Sequence, residues 1–137
     1  SREAFLAALR SYDGVAWRHQ GRDRRGIDCL GLVVLSARDI GIQVADNLNY
    51  GRVPDLDTMR AGLHEHFVPV SPRDLLPGDL FWIQWPRAAH PMHLAVFTGA
   101  GRIIHCDERV KKVTEHLLPI TWQPLIIERL RWRAWAQ

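Results

Sequence analysis

The run "GIDCLGLVV", Gly26 to Val34, sets Cys29 directly after an acidic residue and at the head of an apolar stretch with helical spacing. By residue type alone Cys29 is a small core residue, half of a disulfide, or a nucleophile. The last role needs the thiolate to be favoured, by the free N–H groups of a helix N-terminus and by a nearby imidazole. Asp28 can cap such a helix and leave Cys29 in its first turn. Two imidazoles follow in "HLAVFTGAGRIIHCDE", His93 to Glu108, which reads as a hairpin. With a three-residue loop centred on Ala100, Thr98 faces Arg102, Phe97 faces Ile103, Ala95 faces His105 and His93 faces Asp107. His93 and His105 then share one face as diagonal neighbours, roughly 7–8 Å apart between backbones. Cys106 points the other way. A two-residue loop would shift the pairing by one and send the two histidines to opposite faces. On a common face, His93 can take the thiol proton and return it to a leaving amine, while His105 holds the ring by its other nitrogen.

Blander readings stand beside this one. A single histidine in a half-buried strand is more often a hydrogen-bonded core or rim residue. A zinc site from His90, His93, His105 and Cys106 lacks both paired CxxC ligands and an HExxH helix, so no metal or other cofactor is expected. A Cys29–Cys106 bridge needs both side chains to converge, which the hairpin disfavours. His64, His66 and His116 read most simply as surface residues, and His19 lies close enough in sequence to approach the site.

The elements that must position these residues follow from hydrophobic periodicity. Phe5, Leu6 and Leu9 define a first helix stopped by Gly14. Leu30, Val33, Val34 and Ala37 define a second, starting at Asp28 and stopping near Gly41. Met59, Leu63 and Phe67 recur at fourfold spacing in a shorter third helix over Asp57 to Phe67. Beyond the Pro77-Gly78 turn, the segments Leu80–Trp85, His93–Thr98, Arg102–Cys106, Val110–Leu117 and Leu125–Trp132 read as strands. Helices first and strands after predict an α+β fold, with helices covering one face of a mostly antiparallel sheet.

A chain of 137 residues, 47% hydrophobic and 24% charged, fits one globular domain over 1–137. It has no apolar run near the eighteen or so residues of a membrane span. A soluble protein is expected, and its opening residues lack the apolar core of a secretory signal, which leaves localisation open. Two cysteines are too few for a disulfide framework. The net charge of +3 is concentrated in "WRHQGRDRRG", where Arg18, Arg22, Arg24 and Arg25 precede Cys29 and suit an anionic ligand. Without interleaved aromatics the patch does not point to nucleic acid.

Trp17, "DCLGLV", "PGDLFWI", "HLAVFTG" and "RIIHC", in this order, resemble the NlpC/P60 cysteine peptidases, over roughly Val15 to Cys106. The resemblance implies a papain-like α+β fold. It also implies Cys29 as nucleophile, His93 as general base and acid, His105 as the third polar member, and Trp17 and Asp28 at the substrate. The implied substrate is a peptidoglycan stem peptide, cut between D-γ-glutamate and a diamino acid. Two positions depart from the family pattern. Trp17 stands where many relatives carry a tyrosine twelve residues before the nucleophile, and Leu30 stands where many carry serine. The arginines before Cys29 would then steer stem-peptide carboxylates. "HQGR" and the segment from Val110 resemble the phage-tail branch, which implies tail proteins as partners and synthesis in the cytoplasm followed by incorporation in a virion. The alternatives are a tail-assembly protein with unused peptidase activity, and an amidase or acyltransferase on the same fold.

Overall fold

The computed structural model describes residues 1–46, 51 and 55–135. Its helices are α1 (Arg2–Arg10), α2 (Cys29–Asp39) and α3 (Leu56–His66). A two-stranded ribbon, β1 (Arg22–Asp23) and β2 (Gly26–Ile27), precedes α2. The main sheet contains β3 (Phe67–Pro69), β4 (Leu80–Gln84), β5 (Met92–Gly99), β6 (Arg102–Asp107), β7 (Lys112–Leu117) and β8 (Ile126–Trp132). Their order is β3-β8-β4-β5-β6-β7, and every neighbouring pair is antiparallel. The expected α+β architecture is therefore present.

Each strand alternates between two cores. Trp82, Leu94, Val96, Ile104, Cys106, Leu130 and Trp132 pack with Phe5, Leu9, Leu32, Val33, Ala37 and Leu63 of the helices. Phe81, Ile83, Trp85, Ala95 and Ile103 face the other way, against Trp122, Leu125 and Ile126. The histidine face of the hairpin is the face turned away from the helices.

The hairpin differs from the expected one in an instructive way. Phe97 does pair with Ile103, but Arg102 pairs with Gly99 rather than Thr98, and Thr98 sits in a bulge. Ala100 and Gly101, with φ of 50° and 72°, form a two-residue loop in which both positions are left-handed. The loop is one residue shorter than expected, and the bulge adds one back. The two irregularities cancel, so His93 and His105 keep a common face.

Other boundaries moved for local reasons. The first helix ends at Arg10, before Gly14, because the Ser11 N–H closes onto Ala7 and Ala8 and its hydroxyl bonds the Ala8 carbonyl. Phe67 starts β3 instead of ending α3, paired with Trp132 and packed on its ring at 4.2 Å between centroids. Val110 lies in the turn before β7, where Lys111 has φ 68°, and Leu125 closes a 3₁₀ turn before β8. Asp79 in the Pro77-Gly78-Asp79 turn is fully buried. It accepts from Arg131 at 3.0 and 2.8 Å, from Arg2 at 3.1 Å and from the Leu76 N–H at 2.9 Å. This carboxylate joins the start of the chain to its last strand.

Candidate active site

Cys29 is the first residue of α2, and Asp28 is its N-cap. Asp28 is 5% exposed. One carboxylate oxygen accepts from the Gly31 N–H at 2.8 Å and from Arg22 at 2.9 Å, and the other accepts from the Gln20 N–H at 2.9 Å. The loop ahead of the ribbon therefore lies directly on the helix start. A Cβ at Gly31 would come within 2.5 Å of the Gly21 carbonyl oxygen, so the glycine of "DCLG" answers a steric demand. Arg22 also pairs with Asp46 at 2.8 Å. Arg24 lies over the Tyr12 ring at 4.1 Å and donates to the Ser11 carbonyl. These two arginines are engaged in holding the fold, and Arg24 is exposed like Arg18 and Arg25.

The backbone amides of Leu30, in its own helix, and of Leu94, in β5, act on the Cys29 thiol. Both favour a thiolate, as does Arg22. Burial among neighbouring groups opposes them most strongly, and the Asp28 charge adds to it, so the thiol is pushed up to about 12. Desolvation and the charge of the capping carboxylate thus outweigh the amide donors. Cys29 and Cys106 are both free thiols, and the Cys106 thiol donates to the Ile27 carbonyl at 3.2 Å.

On the opposite face of the sheet His93 and His105 meet as the hairpin argument requires. His93 Nε2 and His105 Nδ1 are 2.6 Å apart. His93 is 5% exposed and His105 fully buried. Burial holds both imidazoles below their ordinary value near 6.5, His93 at about 4, so both are neutral at pH 7. His105 Nε2 in turn lies 2.7 Å from Nε2 of His116, on β7. His116 is no bystander at the surface. The register His105↔Thr114 places it one alternation along on the same face, so the period-2 rule that joined His93 to His105 also reaches it.

Several partners of this row were not anticipated. Trp85 packs on the His93 ring at 5.1 Å, and Trp122 packs on Trp85, His105 and His116 at 4.6, 5.6 and 5.7 Å. Arg109 lies over the Trp85 and Trp122 rings and holds Asp107 at 3.0 Å. Burial raises the Asp107 carboxyl, but hydrogen bonds from Arg109 outweigh it, and the group stays below its ordinary value. The only hint in the sequence was that Asp107 fell opposite His93 in the hairpin.

Cys29 at the start of α2 and His93 near the start of β5 both border one cleft. This cleft is partly open to solvent, with Trp17, His19, Asp28, Leu30, Trp85, His90, Asp107 and Glu108 among its other walls. The Trp17 ring stands edge-on to His90 at 5.1 Å, and His90 Nδ1 pairs with Glu108 at 2.5 Å. No described helix is long and apolar enough to cross a membrane.

A model of the NlpC/P60 family matches residues 14–134, and the chain belongs to this family. It is 26% identical over 116 residues to a probable endopeptidase, NlpC, from Escherichia coli, covering 84% of this chain and 68% of that one. Its fold is similar to that of an NlpC/P60 family protein from Bacillus cereus, with TM-score 0.74 and 19% identity, covering 96% of this chain but only 40% of that one. The NlpC/p60 domain of the peptidoglycan hydrolase SagA is similar over nearly its whole length, 96% of this chain and 98% of that one, with TM-score 0.65 and 20% identity. RipD from Mycobacterium tuberculosis, described as a non-catalytic NlpC/p60 domain adapted to peptidoglycan binding, has TM-score 0.66 at 14% identity, covering 94% of each chain. These structural likenesses carry the papain-like fold.

Proposed function

We propose that this protein is a cysteine endopeptidase that hydrolyses amide bonds in peptidoglycan stem peptides, with Cys29 as nucleophile, His93 as general base and acid, and His105 as the residue that orients His93. The observation that carries this reading is one cleft lined by both a thiol at a helix start and an imidazole anchored through its Nε2. The thiol and imidazole are both neutral at rest, so the proton leaves Sγ for His93 as Sγ attacks the amide carbon. Positive partial charge at the start of α2 favours the developing oxyanion. The bond to the amine then breaks as His93 returns the proton, giving a thioester at Cys29. Water, deprotonated by His93, hydrolyses it and restores the thiol.

Trp17 and Asp28 take different parts in this scheme. The Trp17 ring walls the cleft beside the substrate, while Asp28 fixes the helix start and keeps Cys29 in place. The bond between D-γ-glutamate and a diamino acid is the proposed target, in line with the family resemblance. Exposed Arg18 and Arg25 remain available to steer the stem-peptide carboxylates.

A binding role without hydrolysis is the second reading, and the similar fold of RipD, described as non-catalytic and adapted to peptidoglycan binding, favours it. Digestion of purified peptidoglycan by the native protein and by Cys29→Ala, with mass spectrometry of the fragment ends, separates the two. The peptidase reading expects new γ-glutamyl ends from the native protein alone. Equal digestion by both removes Cys29 from the chemistry, and retention on peptidoglycan with no digestion favours binding or tail assembly. A new thioester or amide to an added amine, rather than a free acid, identifies an acyltransferase. We propose in addition that the protein is made in the cytoplasm and leaves in a phage tail, from the likeness of "HQGR" and of the segment from Val110 to that branch. Its detection in purified virions is the corresponding test.

A further inference from the structure

We propose that His116 is a positioning residue, through which the Leu117 backbone carbonyl sets the tautomer of three imidazoles in series and leaves the lone pair of His93 on Nδ1. The inference rests on the peptidase reading only for its consequence, since the hydrogen-bond order stands on geometry alone. His116 Nδ1 lies 2.8 Å from the Leu117 carbonyl oxygen, which can only accept, so this nitrogen carries the proton. A neutral His116 then has its lone pair on Nε2. His105 Nε2, 2.7 Å away, must donate to it, which leaves the His105 lone pair on Nδ1. His93 Nε2, 2.6 Å from that atom, must donate in its turn. The one lone pair that no imidazole of the row donates to is on His93 Nδ1, the atom able to receive a proton from Cys29.

Without His116 the direction of the row is no longer set. His105 could equally carry its proton on Nδ1 and donate to His93 Nε2, and His93 would then hold its own proton on Nδ1, where it cannot act as a base. The surroundings suit a fixed row. Trp122 covers the rings of His105 and His116, and burial keeps His93 and His105 neutral, as the alternation of donor and acceptor requires. Water approaching a buried row would offer competing donors and acceptors, and the indole shields the row from it.

The test is a long-range ¹H–¹⁵N correlation on the full chain labelled with ¹⁵N-histidine, at neutral pH, joined to kinetics of two variants. The native protein is expected to show the Nδ1–H tautomer at His116 and the Nε2–H tautomer at His105 and His93. This pattern is read whether or not the protein digests peptidoglycan, so a failure of the peptidase reading is seen separately. His116→Phe keeps a ring in place but removes the acceptor. It is expected to lower kcat roughly 10- to 100-fold, as for other outer partners that orient an imidazole, with KM within about twofold. His116→Gln, whose carbonyl oxygen can accept from His105, is expected to recover most of the loss. An Nδ1–H tautomer at His93 in the native protein overturns the proposal. So does a His116→Phe variant with native kcat and an unchanged His93 tautomer.

Discussion

Asp79 and the row that runs from buried His93 and His105 to half-buried His116 are both polar centres, and they are built on opposite principles. The Asp79 carboxylate is closed: Arg131, Arg2 and the Leu76 amide occupy it from all sides, and its charge is matched by two guanidinium groups. Nothing there has a free valence for chemistry. In the histidine row, burial keeps His93 and His105 neutral at pH 7. One end is tied to a backbone carbonyl and the other opens on the cleft that holds Cys29. A saturated charge cluster gives rigidity between distant parts of a chain. A neutral, directional row with one open end can accept a proton and give it back.

This contrast separates the effects of mutation. The largest expected effect is at the open end: His93→Ala should lower kcat/KM by roughly 10²–10⁴-fold, typical of losing a general base, with a thermal midpoint close to native. An equal fall in stability and activity would mean that the row is scaffold like Asp79. Next comes the closed centre. Asp79→Ala leaves two arginines without their buried partner and should cost about 3–5 kcal/mol in denaturant unfolding, while the molecules still folded keep native activity.

The third effect concerns pH. His93 and His105 have folded-state pKa values below the ordinary 6.5, His93 at about 4. As pH falls, the unfolded chain binds these protons first, so stability is full above about pH 6.5 and declines toward pH 4. The loss should reach roughly 1–3 kcal/mol, and His105→Asn should shrink it. A flat profile over that window would contradict burial of neutral imidazoles. The smallest effect is at Arg24, one of the four basic residues before Cys29. Arg24→Ala should cost about 0.5–1 kcal/mol, from its place over Tyr12, and leave hydrolysis unchanged.

Sequence reading reached what depends on short-range periodicity. Asp28 as cap, Cys29 in the first turn and the common face of His93 and His105 all follow from spacings of two or of 3.6 residues. The same period carried one strand further finds His116, but that step needs the register across the turn between β6 and β7, where Lys111 adopts a positive φ that its residue type does not announce. The bulge at Thr98 was equally hidden, and the common face survived because a second irregularity offset it. Partners far apart in sequence left no trace. Arg2 and Arg131 lie 77 and 52 residues from Asp79, and nothing near "PGD" specifies them. The high pKa of the Cys29 thiol was also out of reach, because it is set by burial and by the charge of the same Asp28 that makes the helix start legible.

In the proposed reaction Cys29 forms a covalent acyl intermediate with His93 as its proton acceptor. Intact-protein mass spectrometry on samples quenched in acid during turnover of a stem peptide tests it directly. The account predicts an adduct equal in mass to the acyl part of the substrate, located on Cys29, which disappears in Cys29→Ala together with hydrolysis. Hydrolysis by Cys29→Ala at the native rate, or an adduct located on Cys106, would contradict it.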